Sequence, residues 1–297
     1  MAKTAKDIRQ EFIDFFSSKE HAFVRSAPVL PSDDPTLLFT NAGMNQFKPI
    51  FLNKIVSEFG RAVNSQKCIR VSGKHNDLEE VGRDDHHHTF FEMLGTWSFG
   101  DYYKEDAISW HWELLTDVWK LDKDRLWVSV YETDDESARI WTDLIGVPKE
   151  RVLKFGDKEN FWEMGETGPC GPCTEVHYYI GDNINDQKPD GVNIDDSYRE
   201  ICNLVFIEYD RSSDGKLSPL PKKHVDTGMG LERVVSVING YKSNYDSDLF
   251  QPIIEKITTL SNKEYQYKDG VPHRVIADHI RMVSFSLADG ILPSNDG

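Results

Sequence analysis

Val225-Asp226-Thr227-Gly228-Met229-Gly230-Leu231-Glu232-Arg233-Val234 places two glycines one residue apart, directly before an apolar helical pattern of Leu231, Val234, Val235 and Ile238. Glycine lets a backbone approach a ligand closely, and the start of a helix offers unpaired N–H groups. Arg233, one turn into that helix, can lie over a flat ring or pair with a phosphate. Asp226, just ahead of the glycines, can hold a small cation such as an amino group. The plain alternative is a glycine turn that opens a buried helix, with Glu232 and Arg233 in water. The stretch does not fit the dinucleotide fingerprint, because Arg233 stands where the third glycine belongs.

The rest of the chain narrows the choice. Its 297 residues suffice for one large domain, or one domain and part of another, and 39% hydrophobic content supports a sizeable core. No apolar run approaches the length of a membrane span, and the first eight residues carry no signal-peptide pattern. The four cysteines, without a secretion signal, fit a reduced, cytoplasmic setting. A net charge of −16 argues against a general nucleic-acid binder, whose affinity rests on neutralising phosphates, though not against a local RNA contact.

Taken in order, the pattern predicts a first helix with a Thr4/Asp7 capping box and an apolar face of Ile8, Phe12, Phe15 and Phe16. A strand is expected at Thr36 to Thr40, then a turn at Asn41 to Gly43. Cys68 to Val71 reads as a strand, Ser72 to Asp85 as a polar loop, and His88 to Phe99 as a returning strand. Helices follow at Lys104 to Trp119 and Asp134 to Ile145, with a strand at Leu126 to Tyr131 between them. Val176, Tyr178 and Ile180 alternate as a strand, and Asn183 to Tyr198 reads as an exposed insertion. In the strand from Glu200 to Tyr209, a period of two puts Ile201, Asn203, Val205 and Ile207 on one face. Asn203 there is either a core amide bonded to backbone or a residue facing a ligand, since an unpaired amide is costly. Two helical patterns close the chain: Leu249 to Leu260, and Ile276, Ile280, Val283 and Leu287. The fold class expected is α+β, a mainly antiparallel sheet flanked by helices, with the start of a helical domain at the C-terminus. The division expected is 1–242 and 243–297.

Two motifs compete for attention. Cys170-Gly171-Pro172-Cys173 matches a redox CxxC, but a strand-like segment follows where that chemistry wants a helix start. Adding His177, and with it Cys202, would make a zinc site, but a CxxC with no second CxxC or HxxxH is incomplete. A glycine–proline turn lining a pocket is the favoured reading. His86-His87-His88 is a possible metal site, but neighbours on a strand point to opposite faces.

The combination resembles a known family. FTNAGMNQF (39–47), GKHNDLE (73–79), HHTFFEMLG (87–95), WSFGD (97–101), TGPCGPCTE (167–175) and DTGMGLER (226–233) look like the alanyl-tRNA synthetase family of class II aminoacyl-tRNA synthetases. The resemblance runs from Ile8 to Gly297. It implies an antiparallel catalytic sheet flanked by helices, and an enzyme that condenses L-alanine with ATP to alanyl-adenylate and pyrophosphate, then transfers alanine to the terminal adenosine of tRNA(Ala). Neither membrane nor DNA is among the implied partners. Mg²⁺ would arrive with ATP, and neither a structural zinc nor a metal held by the protein is implied for this stretch.

By the same resemblance Arg70 bridges the alanine carboxylate and α-phosphate, a task that suits a guanidinium fork. His88 contacts ATP, Phe91 stacks on adenine with Arg233 over the other face, and Gly230 lets ATP pass close to the backbone. Asp226 pairs with the ammonium group, and Asn203 contacts the carboxylate and α-amino region. Trp162 and Val205 wall the methyl group, beside Gly228. Ile201 and Cys202 supply backbone contacts, and Trp162 and Asn203 also border the nucleotide. Arg70, Asp226 and Arg233 form the implied catalytic set. Asn295 matches a reader of the acceptor stem. Family members continue with a helical tRNA domain, an editing domain and a C-terminal domain, so an N-terminal catalytic fragment is expected. The alternative from another class is a synthetase-like paralogue that aminoacylates a carrier protein or small molecule.

Overall fold

The computed structural model describes residues 2–31, 37–72 and 75–294. Helix α1 (Ala5–Ser18) begins at the expected capping box. Thr4 accepts from the Asp7 N–H and Asp7 from the Thr4 N–H, which satisfies donors the first turn leaves open. Its Ile8, Phe12 and Phe16 are fully buried. The chain continues through β1 (Ala22–Phe23), α2 (Lys48–Phe51), β2 (Arg61–Ile69), a small hairpin of β3 (Val71–Ser72) and β4 (His75–Asn76), and β5 (Phe90–Ser98). Next come α3 (Lys104–Glu113), β6 (Leu126–Tyr131), α4 (Asp135–Arg139), β7 (Val152–Phe155), α5 (Asp157–Asn160), β8 (Phe161–Glu163) and β9 (Gly168–Tyr179). The last elements are β10 (Tyr198–Arg211), β11 (Leu217–Gly230), α6 (Leu231–Asn239), α7 (Gln251–Ser261) and α8 (Val271–Ala288). Helices α3 and α4 each run on as wider π-helical turns, to Val118 and Ile145.

Nine strands form one sheet in the order β1-β2-β5-β11-β10-β9-β6-β7, with β8 laid on β9. The inner pairings are antiparallel, and among the described residues only the outer pairs β1/β2 and β6/β7 are parallel. The α+β expectation therefore holds. Alternate strand residues feed two cores. Val63, Leu94, Val176, Leu204 and Phe206 pack with Ile8, Phe12, Ile108 and Val234 on the helical side. Ala62, Trp97, Cys173, Val205 and Ile207 meet Met44, Phe47 and Phe51 on the other. The candidate site lies on this second face.

Three expectations need correction. Thr36 lies outside the described residues, and Leu37 to Thr40 forms no strand: Leu38 is 61% exposed, and the stretch holds only isolated bonds such as Thr40 N to Val29 O at 2.8 Å. Cys170 to Cys173 is not a turn but part of β9. Gly171 is required there because a Cβ would collide with the Phe206 carbonyl of β10. The strand β10 does not keep its period. Glu200 pairs with His177 and Cys202 with Val176, so Ile201 is an extra, bulged residue and packs in the helical-side core. The bulge leaves Glu200, Asn203 and Val205, rather than Ile201, on the site face.

Helix α8 bears out the last helical pattern, with Ile276, Ile280, Val283 and Leu287 50%, 48%, 42% and 45% exposed. The inner face carries charge instead. Asp278 accepts from the Thr89 N–H at 3.1 Å, Arg281 pairs with Glu232 at 2.6 Å, and Arg274 donates to the Gly82 carbonyl at 2.8 Å. Polar groups on the sheet side select polar partners on the helix. No helix among the described residues is long and apolar enough to cross a membrane.

Candidate functional site

Strand register assembles the site as a grid on one face of the sheet. Asn203 of β10 lies between Glu175 of β9 and Gly228 of β11. One step along, Val205 lies between Cys173 and Asp226, and Asp226 pairs across to Trp97 of β5. Trp162 of β8 borders the same face. Together with the start of α6 and the loop before β5 they enclose a cavity of about 490 Å³, the size of a nucleotide-scale ligand site.

Asp226 is buried, and the Trp97 indole Nε1–H donates to its Oδ1 at 2.6 Å. Burial pushes the carboxyl up to about 7, although the indole bond works the other way. The indole has room because Gly43 and Gly95 flank it: a Cβ on either would collide with the ring. A buried acid with one bonded oxygen, beside the Val205 and Trp162 walls, can take a small primary ammonium group.

Two positive groups border the same cavity. Arg70 follows β2 directly, and its Nε donates to the Asn41 carbonyl at 3.0 Å. Its guanidinium lies 5.1 Å from the Phe91 ring centre, on the ring expected beneath adenine. Arg233 donates through Nη1 to the Glu200 carbonyl at 2.6 Å and lies 3.2 Å from its carboxylate. Burial works to raise Glu200, but Arg233 overcomes it and holds Glu200 below the usual range. Glu175 is pushed upward by burial and by the nearby Glu200. Gly230 is the residue before α6, and a Cβ there would meet only the Arg233 Cβ at 3.7 Å, which leaves open space beside it.

Arg70, Phe91, Trp162, Asn203, Val205, Asp226, Gly228, Gly230 and Arg233, expected in one site, all border this cavity. His88 also lines the cavity, and its ring packs against residues of the protein. It stacks on Phe250 at 4.9 Å, and its Nε2 is 2.9 Å from Asn244 Nδ2. Ile201 and Cys202 are not part of the cavity lining, and their side chains belong to the helical-side core. Asn295 lies outside the described residues.

The histidine run also differs from expectation. His86 and His87 precede β5 in a loop, so strand alternation does not separate them, and their rings lie 4.4 Å apart. Candidate ligand atoms of Asp84, His86 and His87 fall within 4.8 Å of one another. His87 is ion-paired to Asp84, while Arg199 donates to His86 Nδ1 at 2.8 Å. Burial, with Arg233 and Arg199 nearby, lowers His86 to about 2. Those guanidinium groups oppose a cation at this point. The four cysteines are unpaired thiols, and burial raises Cys170 to about 11 and Cys173 well above its ordinary value. A redox thiol needs the opposite shift.

Three participants were not singled out from the sequence. Glu175 falls in the segment dominated by CxxC, although it alternates with Cys173. Glu200 opens the β10 strand, and only the bulge turns it to the site. Trp97 reaches Asp226 across 129 positions of sequence, with no local signal.

Residues 7–297 match the family model described as tRNA synthetases class II (A), and the chain belongs to that family. Within it, the chain is 60% identical over 303 residues to the alanine–tRNA ligase of Chlorobium phaeovibrioides, covering 99% of this chain and 33% of that one. It is 52% identical over 302 residues to the alanine–tRNA ligase of Stenotrophomonas maltophilia, covering 99% and 34%. The mitochondrial alanine–tRNA ligase of Saccharomyces cerevisiae is 52% identical over 318 residues, covering 99% and 32%. The chain thus spans about a third of the length of the curated relatives it matches.

Proposed function

We propose that this chain activates L-alanine with ATP, forming alanyl-adenylate and releasing pyrophosphate, and that it does so as part of a protein that transfers alanine to tRNA(Ala). The observation that carries this reading is the pairing, in one cavity, of a buried carboxylate at Asp226 with guanidinium groups at Arg70 and Arg233. The first suits an ammonium group and the second pair suits phosphates. Val205, paired in register with Asp226, and Trp162 add apolar lining that suits a small side chain. The alanine–tRNA ligase relatives support the same choice.

Adenylate formation puts charge on the α-phosphate as the alanine carboxylate attacks in line. Catalysis is then chiefly positioning and charge stabilisation. Arg70 holds both reacting groups, and its backbone N–H is tied to the Thr89 carbonyl at 2.9 Å, which fixes where the arginine leaves the sheet. Phe91 carries the adenine. Arg233 must leave Glu200 to cover the other face of the base. Mg²⁺ arrives on the ATP phosphates. Residues 243–297 begin a helical unit that serves tRNA, and a cytoplasmic setting goes with this role.

The test is alanine-dependent exchange of labelled pyrophosphate into ATP by residues 1–297. Exchange that needs alanine is expected. Arg70→Ala should lower it by about 10²-fold or more, as for loss of one charge-stabilising donor. No exchange by the unmodified, folded chain would overturn the proposal.

A further inference from the structure

Asn203 poses a question of polarity. Its side chain presents an oxygen acceptor on one side and an NH₂ donor on the other, in nearly the same shape. Which side faces a ligand decides what the residue recognises. The surrounding side chains form a directional chain that answers this. The Cys173 backbone carbonyl cannot turn, and it accepts from Asn160 Nδ2 at 3.2 Å. The same NH₂ donates to Ser129 Oγ at 2.9 Å. The Ser129 hydroxyl proton is then free to be donated to Glu175 Oε2, 3.2 Å away. His177 Nε2 lies 3.3 Å from that oxygen. The other oxygen, Oε1, accepts from Asn203 Nδ2 at 2.9 Å. Asn160, Ser129, Glu175 and His177 are all buried.

The chain ends on Asn203 Oδ1, a buried acceptor with no partner. Buried acceptors are almost always satisfied, so an orphan on a cavity wall asks for a donor from the ligand. The neighbour across the strand is Gly228, which brings no side chain of its own, and the Met93 side chain packs beside it.

We propose that Glu175 is a positioning residue for amino-acid binding: it fixes the Asn203 amide so that Oδ1 accepts from the substrate's α-amino group, as a second acceptor beside Asp226. The inference rests on the alanine-activating reading above. Glu175 itself touches no substrate.

The experiment measures the KM of alanine and of ATP separately by pyrophosphate exchange at pH 8, with a thermal melt for each variant. Glu175→Met removes the acceptor that orients Asn203. It should raise the alanine KM by about tenfold to a hundredfold, the worth of one hydrogen bond to a charged group, with the ATP KM within about twofold. Asn203→Asp sets two acceptors against each other and should raise the alanine KM similarly. Adding Glu175→Gln to Asn203→Asp restores a donor opposite an acceptor and returns an oxygen to the cavity. That double variant should come back to within about threefold of the unmodified chain. An unchanged alanine KM in Glu175→Met, an equal rise in the ATP KM, or a double variant no better than Asn203→Asp would overturn the inference. Absence of exchange in the unmodified chain would instead count against the alanine-activating reading.

Discussion

Asp226 keeps its proton more tightly than a surface aspartate because burial disfavours the charge. The sign of the linkage follows. The folded-state value, about 7, lies above the ordinary 3.8, so the folded chain binds the extra proton. Stability from this residue is complete below the lower value, falls as pH rises through the interval, and is lowest above about 7. Asp226→Asn should therefore raise Tm at pH 8 while it removes alanine-dependent exchange. Each kcal/mol relieved is worth about 2–4 °C in a chain of this size. A melt showing Asp226→Asn less stable than the parent at pH 8 would contradict this account. The same residue predicts a pH profile. Ammonium binding needs the carboxylate, so the alanine KM should fall as pH is raised from 6 towards 8 and then level off. At this scale the sequence was informative where one residue broke a local pattern. Asp226 before paired glycines and Asn203 inside an apolar strand both stand out. Their orienting partners Trp97 and Glu175 do not, because each reaches them only through strand pairing.

Helix α8 shows how far periodicity carries at the level of an element. Its apolar spacing was readable, and so was its helical state, yet the stripe faces outward. Period identifies a face but not the side on which the rest of the protein lies. Here the buried partners are Thr89, Glu232 and the Gly82 carbonyl, and they call for Asp278, Arg281 and Arg274. A contrast of two substitutions follows. Asp278→Ala leaves the buried Thr89 N–H without an acceptor and breaks a buried charged contact, a loss of about 3–5 kcal/mol. Ile280→Ser, on the exposed stripe, should change stability by no more than about 0.5 kcal/mol. Urea unfolding at pH 7 measures both, and the reverse order would mean that the apolar stripe is the packed face. Strand β10 teaches a similar lesson. Its alternation was correct from Asn203 onward, but one bulged residue moved Ile201 to the other side, and no composition signal marks that insertion. The CxxC segment misled differently: glycine and proline suggest a turn, whereas Gly171 is there to admit the Phe206 carbonyl.

Across the whole molecule the charge of −16 separates the two proposed half-reactions. Binding to tRNA draws on cationic contacts with phosphates and weakens steeply with salt, whereas the site proposed for alanine and ATP is a cavity in the sheet face. Residues 1–297 should form alanyl-adenylate readily but charge tRNA(Ala) poorly at about 0.15 M salt, with charging improved at lower salt. Both reactions can be followed on one preparation, and efficient, salt-insensitive charging at micromolar tRNA would contradict the expectation. The net charge was plain in the sequence, but its distribution around the cavity depended on the fold. The grid of side chains has a further consequence, for the order in which the molecule comes into being. Trp97 and Asp226 bond across 129 positions, and Asn203 is flanked by residues from two other strands. Loops of that length close slowly, and sheets rich in distant pairings fold late and cooperatively. A nascent chain that has delivered β5 owns the indole but not the acid it will hold. The cavity thus comes into existence only when β11 is inserted between β5 and β10, so a partly folded chain lacks the site proposed for alanine and ATP.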